Sequence, residues 1–367
     1  MLNPLLVEKS RIAEKGDYNL SGERYRDNLV HKHKNWDMVE LGEVCEFQKG
    51  TSITKANVIE GNIPVIAGGK QPAYYHNQSN RNGNIITVSS SGANAGFVNY
   101  FEYPIFASDC ITIQSKSKSL LSIKYLFFLL KNKQDDIYKL QKGGGQPHVY
   151  SDDLDYYKIP LPPLSVQQEI VSEIENYQKI IDGAKQVIQN YKPQIKIEDD
   201  WEMVELGEVI TLEYGVGLKE ADRREGEFPV YGSNGIIGYH NEYLVEAPFI
   251  IIGRKGTAGA ITYSEQNGFP IDTTFFVKIK DTDKVRLKYL YFILPFLDLQ
   301  NLNTQSGVPG LNRNDAYLKL IPLPPLSIQQ EIVSRIEEEQ KLVDANKRLI
   351  EIFEQKIKDK INEVWEG

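Results

Sequence analysis

The sequence predicts an α+β protein with an internal repeat, in which two similar β-rich mixed α/β domains are each followed by one long amphipathic helix. The first observation behind this prediction is that two segments recur nearly unchanged along the 367-residue chain. The second is the run of β-branched and aromatic residues, broken by Gly, Asn and Ser, between those segments. The third is a pair of long stretches with apolar residues at three- and four-residue spacing.

Two segments define the repeat. Residues 36–44, WDMVELGEV, recur as residues 201–209, WEMVELGEV; residues 159–172, IPLPPLSVQQEIVS, recur as residues 321–334 with one change, Val166 to Ile328. The distance along the chain from the first copy to the second is nearly the same for both segments. Because this distance is far longer than a solenoid repeat, we infer a duplicated domain. The expected organisation is an N-terminal extension at 1–35, a first domain at 36–163, a first helix and linker at 164–200, a second domain at 201–325 and a second helix at 326–367.

Within each repeat, β-branched and aromatic runs predict strands that lead into Gly-containing turns. These strands are expected at residues 85–88, 111–113, 249–252 and 275–277, with short, largely buried helices at residues 121–131 and 287–294. Each repeat is therefore expected to be a mixed unit with many loops.

A Pro-Leu-Pro-Pro sequence closes each repeat before the amphipathic stretch begins. Proline fixes φ and lacks an N–H, so this sequence predicts a rigid, extended connection. Ser165 and Ser327 come next and are predicted to be helix N-caps. The helices are predicted over residues 165–192 and 327–363, each with a narrow apolar seam suited to a coiled coil. Because neither helix can bury its seam alone, each is expected to pack against the other.

Composition and charge exclude several kinds of protein. No apolar run reaches the ~18–20 residues that a membrane helix needs, and the N-terminus lacks the apolar core of a secretory signal. The two cysteines, Cys45 and Cys110, lie far apart, which excludes a disulfide scaffold or a cysteine-based zinc site and favours a cytoplasmic protein. The net charge of −8 argues weakly against a free-standing nucleic-acid binder.

No familiar catalytic motif is found. The sequence lacks the phosphate-binding G-x-x-x-x-G-K-[ST], the zinc-binding H-E-x-x-H and the nucleophile turn G-x-S-x-G. It also lacks Asn/Asp-Pro-Pro-Tyr/Phe, the pattern with which amino-methyltransferases hold a target amine. Asp109 and Asp272 recur at matched positions, as do His76 and His240, and roles in a turn and in framework hydrogen bonds are favoured over catalytic ones. We expect neither catalytic residues nor a metal site.

Three pairs of Gly-rich loop tips differ in their side chains between the repeats. Arginine and lysine reach guanine edges or phosphates, and asparagine and glutamine pair with adenine. The candidate DNA-binding residues of the first repeat are Lys70, Gln71, Ser89, Ser90, Ser91, Asn94, Gln146 and His148. Those of the second repeat are Ser233, Asn234, Arg254, Lys255, Thr257, Asn312 and Arg313. Ordinary hairpin turns, which favour the same residue types, are the alternative for each loop.

From residue 36 to about residue 363, the order and spacing of these motifs resemble the specificity (S) subunit of type I restriction–modification systems. The resemblance implies two target-recognition domains separated by two long antiparallel coiled-coil helices, with a pseudo-twofold internal repeat. Each domain would read one half of a bipartite double-stranded DNA target. Because the loop tips differ, that target would be asymmetric. The resemblance also implies that the subunit is not itself catalytic.

The same resemblance implies protein partners. The helices would bind two modification (M) subunits, which carry the S-adenosylmethionine chemistry and methylate adenine, so no cofactor is expected on this chain. Restriction (R) subunits, where present, would add translocation and cleavage. The candidate partner-binding residues are the glutamine pairs at the helix starts, Gln167, Gln168, Gln329 and Gln330.

Residues 1–35 depart from this pattern. Residues 16–26, GDYNLSGERYR, resemble the C-terminal tail of an M subunit, and would then dock against the central helices or a recognition domain. A polar extension is the alternative. For the whole chain, two other functions stay open: a two-domain protein-binding scaffold, or a self-contained DNA methyltransferase or nuclease.

Overall fold

The structure, a computed structural model, describes residues 36–302 and 310–366 of the chain. The predicted N-terminal extension, residues 1–35, lies outside the described residues. The chain forms two compact units. One unit consists of the described residues up to Gln186 together with those from Arg348 onward, and the other is Val187–Lys347. The last helix of the chain therefore begins in the second unit and ends in the first.

A short antiparallel strand pair closes the domain of the first unit. Strand β1 (Met38–Glu40) pairs with β9 (Lys158–Pro160), which places Val39 opposite Ile159. One strand lies in the first repeated segment and the other in the second. The nearly unchanged segments are thus the ones that bring the two ends of the domain together.

Between these strands the first domain has two sheets and three short helices after the opening turn. Its elements are α1 (Leu41–Val44), β2 (Cys45–Lys49), β3 (Ile63–Ile66), β4 (Tyr74–His76), β5 (Ile85–Ser89), β6 (Val98–Phe101), β7 (Phe106–Ala107), β8 (Cys110–Ser115), α2 (Ile123–Asn132), α3 (Gln134–Tyr138) and α4 (Ser151–Asp155). The strands β2-β8-β5-β6 form an antiparallel sheet. The strands β4-β3-β7 form a second sheet, in which β3 and β7 are parallel.

Strand β5 shows why the apolar run at residues 85–88 folds as a strand. All five of its residues are buried, so both faces of the strand are covered. Ile86 and Val88 point into the main core beneath α2, whereas Ile85 points into a second cluster with Ile66 and Phe101. This alternation follows from the two-residue period of a strand. The predicted mixed domain is confirmed.

The second unit repeats this topology. Its elements are β10 (Met203–Glu205), α6 (Leu206–Val209), β11 (Ile210–Tyr214), β12 (Phe228–Gly232), β13 (Gly235–His240), β14 (Phe249–Gly253), β15 (Ile261–Ser264), β16 (Phe269–Pro270), β17 (Thr274–Ile279), α7 (Leu287–Ile293), α8 (Arg313–Tyr317) and β18 (Leu320–Pro322). The sheets are β11-β17-β14-β15 and β13-β12-β16, and β10 pairs with β18. Both domains are therefore built on one backbone frame, as the internal repeat predicts.

The two long helices run antiparallel within the first unit. They are α5 (Leu164–Asn190) and α9 (Leu326–Glu366). There, Glu173 of α5 forms an ion pair with Lys360 of α9 at 2.8 Å. Tyr177, which lies one turn later in α5, packs against Phe353, which lies nearly two turns earlier in α9. The predicted pairing of the two apolar seams is confirmed.

The predicted N-caps are wrong. Both helices begin one residue before the serines, at Leu164 and Leu326, because the carbonyl of the last proline takes the first helical bonds. Pro163 accepts from the Gln167 N–H at 3.1 Å, and Pro325 accepts from the Gln329 N–H at 3.0 Å. The serines lie inside the first turn and are exposed.

Candidate nucleic-acid interface

The first domain brings its three predicted loop tips together. The Ser89 hydroxyl, at the end of β5, donates to the carbonyl of Gly68 in the β3–β4 loop at 3.1 Å. In the β5–β6 loop, the Gly92 N–H donates to the carbonyl of Pro147 at 3.0 Å. A hairpin over residues 142–148 is closed by two hydrogen bonds between Lys142 and His148, each of 2.8 Å. The three loops form one cluster, which we call the first loop cluster.

A carboxylate holds two of the candidate serines in this cluster. Asp109 lies in the turn before β8 and accepts hydrogen bonds from the Ser90 hydroxyl, at 2.6 Å, and from the Ser91 hydroxyl. An ionised carboxylate is an acceptor only, so both hydroxyl hydrogens point toward it and the serine oxygens keep lone pairs for an incoming donor. Asp109 therefore has the structural role that the sequence favoured, and it orients the two serines.

One candidate of this cluster is buried. Ser89 is 3% exposed, and its hydroxyl donates to the carbonyl of Gly68. The prediction that Ser89 reads a base is therefore wrong: it supports the loop from beneath, because it belongs to the fully buried strand β5.

The cationic part of the first loop cluster is a pair of lysines on one aromatic ring. The Lys70 ammonium lies 5.6 Å from the centre of the Phe97 ring, and the Lys131 ammonium lies 4.0 Å from it. Lys131 also donates to the Val98 carbonyl at 3.1 Å. Burial, and then the neighbouring charge of Lys70, lower the pKa of Lys131 below its usual range. An anion placed here would be attracted by both lysines.

The other candidates of the first domain lie at or near the surface of the same cluster. Gln71 and Gln146 are exposed, the latter at the tip of the 142–148 hairpin, and Asn94 is half-buried in the β5–β6 loop. The His148 ring stacks on Tyr150 with 6.0 Å between the ring centres. These positions agree with a surface role, which stays a prediction.

The second domain brings the corresponding loops together in the same way. The Leu311 N–H donates to the Arg254 carbonyl at 2.8 Å, which joins the segment before α8 to the β14–β15 loop. The β12–β13 turn approaches that loop so closely that a Cβ added to Gly253 would lie 3.0 Å from the Ser233 carbonyl oxygen. We call this the second loop cluster. Residues 303–309, which come just before Leu311 and Asn312 in the chain, lie outside the described residues.

Two arginines and a tyrosine form the centre of the second loop cluster. The Arg254 guanidinium donates through Nε, at 2.9 Å, and Nη2 to the backbone carbonyl of Asp272. It lies 5.3 Å from the centre of the Tyr214 ring, and the Arg313 guanidinium lies 5.1 Å from the same ring. Tyr214 packs in turn against Phe275, with 5.0 Å between the ring centres. A positively charged surface backed by aromatic rings suits the phosphates and base edges of a nucleic acid.

The remaining candidates of the second domain surround this centre. Asn234, Lys255 and Thr257 are exposed, and Ser233 is half-buried. Asn312 is the N-cap of α8, because its side chain accepts from the Asn314 N–H at 2.9 Å. A cap uses one side-chain oxygen and leaves the amide hydrogens available. The DNA contacts of these candidate residues of the second domain stay predictions.

The matched aspartates are not structural equivalents. In the first domain the Ser90 N–H donates to the Asp109 carbonyl at 3.4 Å, whereas in the second the Arg254 N–H donates to the Thr273 carbonyl at 2.8 Å. The second domain has one more residue before β17, so Thr273 takes the place of Asp109, and Asp272 is displaced by one position. The histidines do correspond: Nδ1 of His76 and His240 accept from the N–H groups of Ile59 and Arg224, each at 3.0 Å, which confirms their framework role.

Two of the four partner-binding candidates are buried. Gln167 and Gln329 have no exposed surface, and their amides bind the backbone of the preceding domain. The prediction that they contact another subunit is therefore wrong. The adjacent Gln168 and Gln330 are exposed, and their role stays a prediction.

Three residues of the clusters were missed from the sequence. Lys131 belongs to helix α2. Phe97 lies beside β6 and Tyr214 at the end of β11, and the core is the usual destination of an aromatic side chain in or next to a strand. Tyr214 is nevertheless 51% exposed. Its position at the end of β11, one residue before a glycine, was the signal that it lies at a loop tip.

Two further findings concern residues 36–302 and 310–366. No cluster of three or more histidine, cysteine, aspartate or glutamate side chains within this part of the chain could hold a metal ion. No helix within the same ranges combines the length and apolar character needed to cross a membrane.

Comparisons with known proteins agree with this architecture. Among curated proteins, the specificity subunit of the type I restriction enzyme MjaVIII from Methanocaldococcus jannaschii is 24% identical over 223 residues. The match covers 52% of this chain and 52% of that protein, so the chain spans about half the length of that relative.

Two solved structures share the fold. The S subunit of a type I restriction–modification system from M. genitalium gives a TM-score of 0.60 at 19% identity and covers 91% of this chain and 97% of that one. A structure from a study of complex assembly and conformational transition in the type I system gives 0.56 at 16% identity, with coverage of 91% and 98%.

The family model of the type I restriction–modification DNA specificity domain matches the chain twice, at residues 33–190 and 198–355. These matches cover well over half of the sequence, one for each repeat. The chain therefore belongs to the family of type I restriction–modification DNA specificity domains and contains two of them.

Proposed function

We propose that this chain is the DNA-sequence-recognition subunit of a type I restriction–modification complex, and that each domain reads one half of an asymmetric bipartite target. The observation that carries the proposal is the pair of loop clusters. Both use one backbone frame, but they differ after the matching strands β5 and β14. The first loop cluster presents Ser90 and Ser91, bound to a carboxylate, whereas the second presents Arg254 and Lys255. Two different reading surfaces on one frame suit two different half-sites.

The distribution of charge supports DNA as the ligand. Residues 36–163 carry 12 basic and 12 acidic side chains, and residues 201–325 carry 12 basic and 16 acidic ones. Neither domain is basic overall, but the second loop cluster gathers Arg254, Lys255 and Arg313, and the first gathers Lys70 and Lys131. Local positive charge steers a polyanion to these clusters. We infer that other subunits supply the remaining phosphate contacts, on which affinity depends.

The chain itself is proposed to be non-catalytic and to need no cofactor. Two M subunits would bind along α5 and α9, hold S-adenosylmethionine and methylate an adenine in each half-site, and R subunits would join where the system has them. Membership of the specificity-domain family supports this division of labour. Gln168 and Gln330, exposed at the first turn of each helix, remain candidate contacts for M subunits.

The test is co-expression of this chain with its M subunit, followed by genome-wide mapping of methylated adenines. We expect a single asymmetric bipartite motif that disappears when this chain is omitted. A stable complex that methylates no defined motif would contradict the proposal and favour a protein-binding scaffold. Binding of S-adenosylmethionine by the isolated chain would instead favour an enzyme.

A further inference from the structure

A buried glutamine joins the first long helix to the domain that precedes it. Gln167 lies in the first turn of α5 and has no exposed surface. Its Oε1 accepts from the Ser122 N–H at 2.8 Å, and its Nε2 donates to the carbonyls of Leu120, at 2.9 Å, and Pro162, at 2.8 Å. One side chain thus connects α5, the residues that cap α2, and the proline-rich connection.

The second copy has the same arrangement. Gln329 in α9 is equally buried, accepts from the Arg286 N–H at 2.9 Å, and donates to the carbonyls of Lys284 and Pro324, each at 2.8 Å. Arg286 is the N-cap of α7, as Ser122 is of α2. The two domains differ in sequence here, but every bond of the glutamine goes to backbone. The arrangement therefore does not depend on the neighbouring side chains.

A buried tyrosine holds the other end of each connection. The Tyr125 hydroxyl donates to the Pro160 carbonyl, and the Tyr289 hydroxyl donates to the Pro322 carbonyl, each at 2.9 Å. Both tyrosines have no exposed surface. The tyrosine bond and the glutamine bond thus hold two carbonyls of each proline-rich connection. In both copies these carbonyls lie on either side of one leucine. We call the glutamine, the tyrosine and their backbone partners the helix joint.

Buried hydrogen bonds of this kind restrain direction more than they add stability. In a site closed to water, each lost bond leaves an unpaired backbone group, so alternative helix directions are disfavoured. Proline already removes one rotational freedom from the connection, and the helix joint restrains the rest. A helix attached in this way leaves its domain at one fixed angle.

We propose that Gln167 and Gln329 are positioning residues that fix the direction of each long helix relative to its own domain, and thereby the spacer length that the complex accepts between half-sites. The inference rests on the proposed function, since it concerns the geometry with which the two half-sites are read. DNA rises by a fixed step and rotates at each base pair, so a change of helix direction would alter which spacers bring both half-sites to their domains.

The first experiment measures the joint itself in the full chain. Spin labels on Lys118→Cys and Lys179→Cys, both exposed and both in the first unit, report the distance between domain and helix. The native cysteines are buried and should not take the label. Gln167→Met, which keeps side-chain length but loses the three bonds, should broaden the distance distribution by about twofold. Gln114→Met, the same change at an exposed position of β8 in the same domain, should leave it unchanged.

The second experiment measures spacer choice in the assembled methyltransferase. Target duplexes with the natural spacer, and with one base pair fewer or more, are methylated by the parent and by each variant. For Gln167→Met, the preference for the natural spacer should fall by about tenfold, which corresponds to ~1.4 kcal/mol. For Gln114→Met it should not change. An unaltered preference in Gln167→Met, with a broadened distance distribution, would overturn the link between the joint and the spacer.

A milder variant distinguishes loss of the helix joint from unfolding of the domain. Tyr125→Phe removes one bond of the joint and keeps the ring in the core, and it should broaden the distance distribution in the same direction with a smaller effect. An unchanged distribution in both Tyr125→Phe and a folded Gln167→Met would overturn the joint. If the parent complex methylates no defined motif, the proposed function fails, and the distance measurement still decides whether the joint exists.

Discussion

The guanidinium of Arg254 lies over the exposed ring of Tyr214, with 5.3 Å between the guanidinium carbon and the ring centre. Arg313 lies 5.1 Å from the centre of the same ring. Two like charges near one ring repel each other, and the electron-rich face of the tyrosine offsets part of that repulsion. The arginines are thereby held in position before a ligand arrives, which reduces the entropy lost on binding.

Arg254→Ala should relax specificity at one base of the second half-site. The side chain is anchored by Nε and Nη2 on the Asp272 carbonyl, so its outer edge is presented in a fixed direction. If the contact with the base is bidentate, its loss costs ~1–3 kcal/mol of discrimination. Methylation rates on single-base variants of the target measure this. A uniform fall on every target would show instead that Arg254 contacts a phosphate.

Tyr214→Leu should weaken recognition of the second half-site although it leaves both arginines in place. Each cation–π contact at an exposed site is worth ~0.5–1 kcal/mol, and its loss frees the arginine side chains to move. Tyr214→Phe keeps the ring and is the matched control, since the hydroxyl is not part of the contact. Equal affinity of the Leu and Phe variants for the target duplex, in the assembled complex, would argue against this role of the ring.

Asp109→Ala should reduce discrimination in the first half-site and leave the second unchanged. The carboxylate accepts from both Ser90 and Ser91, so its loss releases two hydroxyl groups at once. We expect the variant to lose ~1–3 kcal/mol of preference for the correct base. The measurement is methylation of two sets of targets, one mutated in each half-site. Loss of preference in both sets would mean that the variant disturbs the fold rather than the reading surface.

Much of the architecture could be predicted because the repeat occurs in the parts that close each domain. The pairing of Val39 with Ile159 explains why segments far apart in sequence recur together. Strands such as β5 were found because a fully buried strand is a continuous apolar run. The N-caps were misassigned because serine is a frequent cap and Pro163 gives no positive signal, although its carbonyl can take the first helical bonds.

The loop clusters were predictable as loops but only partly as surfaces. Exposure cannot be read from residue type: Ser89 is buried by its strand, whereas Tyr214 is exposed at the end of one. Gln167 looks like a surface residue, but its amide pairs with backbone groups that only the folded domain brings near. The shift of Asp272 by one position depends on the strand register, which a comparison of sequence offsets cannot resolve.

Gly50→Ala should destabilise the first domain, whereas Gly183→Ala should not. A Cβ added to Gly50 would overlap the Ser108 carbonyl, so the backbone next to β8 must move, at a cost of ~1–3 kcal/mol. Gly183 lies inside α5 with no atom within 4 Å of an added Cβ. There alanine favours the helix by ~0.5–1 kcal/mol. Urea unfolding of both variants tests this. Equal stabilities would contradict the close approach at Gly50.

The two cysteines should make the protein sensitive to alkali. Burial raises the pKa of Cys45 and of Cys110 from 9.0 to about 12. A group with a raised pKa in the folded state contributes stability that is fully present below pH 9, where both states are protonated. That contribution is lost as the pH rises toward 12, because the unfolded chain releases its thiol protons first. The same burial predicts slow alkylation by iodoacetamide in the folded state at pH 8.

The comparison is with the Cys45→Ser, Cys110→Ser double variant. Serine does not titrate in this range, so the free energy of unfolding of the double variant should fall less steeply between pH 9 and pH 12 than that of the parent, whatever its stability at neutral pH. The buried tyrosines Tyr125 and Tyr289 are present in both proteins, and their raised pKa values therefore cancel in the difference. Parallel pH profiles, or fast alkylation of the folded parent, would show that the thiols are accessible to water.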